Sequence, residues 1–69
     1  MNIEAEKRLE AFEKMLTSVQ ERYQNTVQKM EKLKAEGRVK TVTFRQLMTD
    51  KLMLQNILSM YQIYGLTKE

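Results

Sequence analysis

EGRVKTVTFRQL, residues 36–47, separates two long stretches of helix-compatible sequence and holds one of the two glycines in the 69-residue chain. How it is read decides the fold. Gly37 tolerates the left-handed conformation that closes a helix C-terminus, and Lys29, Lys32 and Lys34 just before it suit the negative end of a helix dipole. Further on, Thr43 and Gln46 stand in the S/T-x-x-E/Q relation of a capping box, with Val42 and Leu47 spaced as a hydrophobic staple around it. One helix therefore ends at about residue 36 and another begins at about residue 44. The connector, residues 37–42, has the length of an ordinary helix–helix turn, which lays the two helices side by side and antiparallel.

Toward the N-terminus, Ala5, Leu9, Phe12, Leu16, Val19, Tyr23, Thr26, Met30 and Leu33 step by four and three without a break. This is a heptad seam, the spacing that keeps one apolar stripe turned toward a partner helix. The remaining positions are mostly charged or amide, and Glu4 with Arg8 and Glu10 with Lys14 are spaced as i,i+4 pairs. Helix 1 is expected from about residue 3 to 36. Toward the C-terminus, Gly65 followed by Leu66 reads as a Schellman stop, with Leu66 folding back on Tyr61 or Met60. Helix 2 is expected from about 44 to 64, with a short tail. The chain has no proline, so nothing interrupts either helix. The predicted class is all-α: residues 1–69 form a single helical-hairpin domain.

Helix 2 has more apolar surface than one neighbour can cover. Leu47, Leu54, Leu58 and Tyr61 form one stripe, Met53, Ile57, Met60 and Tyr64 a second beside it, and Met48, Leu52 and Ile63 lie near the opposite side. A helix apolar over most of its circumference belongs inside an assembly, whereas helix 1, with its narrow seam, belongs outside. A chain of this length buries too little to stabilise a large core alone, and no cysteine is present to form a disulfide. Self-association is the remaining supplement. The expectation is a homodimer that closes into a four-helix bundle, with Leu47, Met53, Leu54, Ile57, Leu58, Met60, Tyr61 and Tyr64 at the oligomer interface. Four of the six methionines, Met30, Met48, Met53 and Met60, fall at helical positions and are read as filling that packing. Helix 1 exceeds helix 2 by about 12 residues, or roughly 18 Å, so Leu9 and Phe12 should project past Tyr64 and be covered by the second subunit or by another protein.

Signs of catalysis are missing. Without His or Cys the common nucleophilic triads and transition-metal sites lose their principal groups, and the two glycines lie too far apart for a phosphate-cradling loop. Glu6, Glu10 and Glu13 share a helical face but sit off the apolar seam beside Lys7 and Lys14, the pattern of a solvated surface. Hence no enzyme activity, cofactor or metal is expected. No apolar run suits a signal peptide or a membrane span, so the reading is of a soluble, cytoplasmic protein.

Charge is unevenly spread. Residues 1–24 carry five acids and four bases, net −1; residues 25–51 carry three acids and seven bases, net +4; residues 52–69 balance, giving the overall +3. Arg38, Lys40 and Arg45 at the turn are the candidate anion-binding residues, close to the positive end of helix 2. Nucleic-acid binding there is the weaker alternative, because no recognition helix follows TVTFRQLMTDKL. The primary expectation is a non-enzymatic module acting by self-association and protein–protein contact, as an adaptor, small regulator or assembly factor.

Overall fold

A computed structural model describes residues 2–65, with side chains from Glu4 onward. Two helices, α1 (Asn2–Ala35) and α2 (Val42–Ile63), pack against each other, and the described residues include no strand. Phe12 stacks on Tyr61 at one end, with ring centroids 5.3 Å apart and planes 26° apart. Further along, the Gln55 amide donates to the Tyr23 hydroxyl at 3.1 Å. Those two pairings, with the turn at the other end, fix the antiparallel arrangement. The molecule is a rod of 54 × 20 × 17 Å, its length set by α1.

The heptad seam of α1 is the face that packs on α2. Val19, Thr26 and Met30 are buried, and Leu16, Tyr23 and Leu33 are half-buried. On α2 the matching seam is Phe44, Leu47, Lys51, Leu54, Leu58 and Tyr61, again stepping by three and four. Leu54 lies at its centre and is 1% exposed. Phe44 and Lys51 complete a row of which Leu47, Leu54, Leu58 and Tyr61 are the members already evident as a stripe.

At the first turn, Gly37 closes α1 with φ +72°. The Arg38 N–H donates to the Leu33 carbonyl at 2.8 Å and the Gly37 N–H to the Lys34 carbonyl at 3.0 Å, the two bonds of a Schellman motif. Gly65 ends α2 with φ +71°, its N–H donating to the Gln62 carbonyl at 2.9 Å. The expected fold-back of Leu66 lies outside the described residues.

The start of α2 differs from the capping box read at Thr43 and Gln46. The N-cap is Thr41: its Oγ1 accepts from the Phe44 N–H at 3.1 Å and donates to the Arg38 carbonyl at 3.0 Å. One hydroxyl therefore caps α2 and ties it to the residue that ends α1, a link that Thr43, two residues further on, does not make. Gln46 reaches forward instead, donating to Asp50 Oδ1 at 3.3 Å. Val42 falls at the first helical position and is 81% exposed, so the staple with Leu47 does not form. Phe44, three residues before Leu47 and seven before Lys51, continues the seam back toward the turn and is buried.

The i,i+4 pairs expected on α1 remain open. The ion pair among the described residues is instead Arg38 Nε with Glu36 Oε1, at 3.8 Å across the turn.

Candidate functional site

The hairpin uses one side of α2 and leaves the adjoining side bare. A second row, Gln46, Asp50, Met53, Ile57, Met60 and Tyr64, steps by four and three like the first, displaced from it by one residue. One residue is 100° of helix rotation, close to the angle between the two neighbours of a helix in a four-helix bundle. Met53 is 45% exposed, Met60 61% and Tyr64 75%, while Ile57 is half-buried. Near the open end of the hairpin this row meets Phe12 and Met15 of α1. Together Phe12, Met15, Ile57, Met60, Tyr61 and Tyr64 line an open apolar cup of about 280 Å³.

The eight residues assigned to an oligomer interface thus divide. Leu54 and Tyr61 are buried against α1, and Leu47 and Leu58 are half-buried beside them; within the single chain these four pack on α1. Met53, Ile57, Met60 and Tyr64 make up the outer row. Sequence pattern found both groups, and the tertiary contact shows which of them the hairpin itself uses. Met15 was not singled out, although its place one position from Leu16 on the flank of the seam is a visible signal.

Leu9 is exposed on the α1 overhang, whereas Phe12 is level with α2 and stacked on Tyr61. Phe12 therefore gains part of its cover from its own chain, and the overhang begins nearer the N-terminus than helix lengths alone suggest.

Arg38, Lys40 and Arg45 are exposed around the turn. Glu36 lies beside Arg38, and the Phe44 N–H is bonded to the Thr41 hydroxyl. One of the donors that would have made the α2 N-terminus attractive to an anion is thus engaged. Among the described residues, no three His, Cys, Asp or Glu side chains gather into a group that could hold a metal, and no helix is long and apolar enough to cross a membrane.

The chain matches no known protein family, no curated protein and no solved structure at a significant level.

Proposed function

We propose that this protein is a non-enzymatic helical-hairpin module that acts by associating with itself and with other proteins, as a cytoplasmic adaptor, small regulator or assembly factor. The observation that carries this reading is the outward apolar row on α2, in which Met53, Met60 and Tyr64 are exposed and Ile57 is half-buried. Isolated exposed leucines or methionines are ordinary on a protein surface, but four at successive heptad positions beside an apolar cup form a contiguous patch.

Size supports it. A compact monomer of 8.2 kDa is expected to expose about 4,500 Å² and to have a radius of gyration of about 11 Å. The hairpin exposes 5913 Å² with a radius of 15.6 Å. The excess, about 1,400 Å², exceeds the roughly 800 Å² that one partner contributes to a standard interface. A second copy supplies the missing neighbour at no cost in new sequence, and two-fold pairing is the commonest way soluble chains associate. Sedimentation equilibrium at micromolar concentration tests the reading. A mass of twice 8.2 kDa or more supports it; a folded species at the single-chain mass removes it.

A further inference from the structure

The geometry points to one particular homodimer, in which two copies run antiparallel and pack α2 on α2 through Met53, Ile57, Met60 and Tyr64, with the two-fold axis between Ile57 and Met60. The inference rests on the self-association proposed above and names the surface and direction of that contact.

Three observations lead to it. The first is the choice of face. The other exposed side of α2 begins with Met48 and Leu52 but continues through Gln55 and Ser59, so its apolar row is broken. The row from Met53 to Tyr64 is unbroken over four positions. Coiled-coil packing needs consecutive knobs, and that row supplies them.

The second is register. When two such rows meet antiparallel, each residue faces a fixed partner. Setting Ile57 of one copy opposite Met60 of the other also sets Met53 opposite Tyr64, and every apolar member meets an apolar member. The next allowed register, one heptad step away, sets the Asp50 carboxylate against Met60 and desolvates it without a cation. In the favoured register Gln46 and Asp50 stay bonded to each other outside the apolar contact. The two cups lined by Phe12, Met15, Met60 and Tyr64 then face one another and fill mutually.

The third is charge. The open end of α1 is acidic: residues 4–13 hold four glutamates against Lys7 and Arg8, net −2. The turn half is basic, net +4 over residues 25–51. A parallel pair would superpose two basic ends. In the antiparallel pair the two basic turns lie at opposite ends, and residues 4–13 of each copy come level with about residues 20–29 and 46–55 of the other, a stretch of net +1 that holds Arg22, Lys29 and Lys51 against Glu21 and Asp50. Such complementarity selects orientation more than it adds affinity.

Because the natural chain contains no cysteine, disulfide trapping is clean. Met53→Cys and Tyr64→Cys chains, one carrying a mass tag, are oxidised separately and as an equimolar mixture. Both positions are exposed in the hairpin, and circular dichroism of each variant verifies the helix content. In the proposed dimer the two positions lie opposite each other, whereas like positions are 11 residues, about 16 Å, apart, well beyond disulfide reach. The expected result is a Met53→Cys/Tyr64→Cys heterodisulfide at least ten-fold more abundant than either homodisulfide. Homodisulfides in the separate samples mean a parallel pair and overturn the inference. A dimer by sedimentation that traps only through Leu52→Cys moves the contact to the other face and likewise overturns it, with self-association intact. A folded single chain in the reduced sample removes both readings together.

Discussion

Met60→Ala separates a surface methionine from an interface methionine. Full burial of a methionine side chain is worth about 2 kcal/mol. In the hairpin Met60 is 61% exposed, so more than half of that value is realised only if another chain covers it. Allowing for the methyl that alanine keeps, the substitution costs about 1 kcal/mol per copy on association. Two copies lose about 2 kcal/mol, which weakens the dimer dissociation constant about 30-fold. The hairpin itself should lose no more than about 0.5 kcal/mol, since alanine is a better helix former than methionine and most of the side chain faced water. Sedimentation equilibrium over a concentration series measures the constant, and Leu52→Ala is the comparator. Leu52 is almost as exposed, at 56%, but lies off the Met53–Tyr64 row. A change of less than about three-fold for Met60→Ala, or an equal change for both variants, refutes the argument.

Further outcomes follow from the packing. Leu54→Ala should cost about 2–5 kcal/mol in urea denaturation, the range for a fully enclosed leucine, because Leu54 sits at the centre of the α1–α2 seam. Thr26 is buried, and among the described residues no partner meets its hydroxyl, so Thr26→Val should raise stability by about 1 kcal/mol in the same assay. Thr41→Ala should destabilise by about 1 kcal/mol while Thr43→Ala stays within about 0.5, since only Thr41 accepts from the Phe44 N–H; the reverse order would restore the capping box. Gly37 has φ +72° with open space where a Cβ would go, so Gly37→Ala should cost about 1–2 kcal/mol from backbone strain alone, and Gly37→Asn less.

The two helices, their antiparallel order and the glycine stops were legible in the chain because each depends on short-range physics. Heptad spacing from Ala5 to Leu33 acts within one helix, and Gly37 and Gly65 take a positive φ without the steric cost of a Cβ. The cap was not, for a related reason. Thr41 and Thr43 stand two residues apart and both can accept a first-turn N–H. The choice goes with the Arg38 carbonyl, presented to Thr41 by the end of α1. Pattern alone also showed that α2 carries apolar residues around much of its circumference. It could not say which stripe would face α1, since Leu54 and Met53 are adjacent and equally apolar. Side-chain packing across the hairpin decided that: Leu54 went inside with Leu58 and Tyr61, and Met53 stayed out with Met60 and Tyr64. Periodicity is a property of one helix, whereas burial is a property of two, so only the contact between them could separate core from surface.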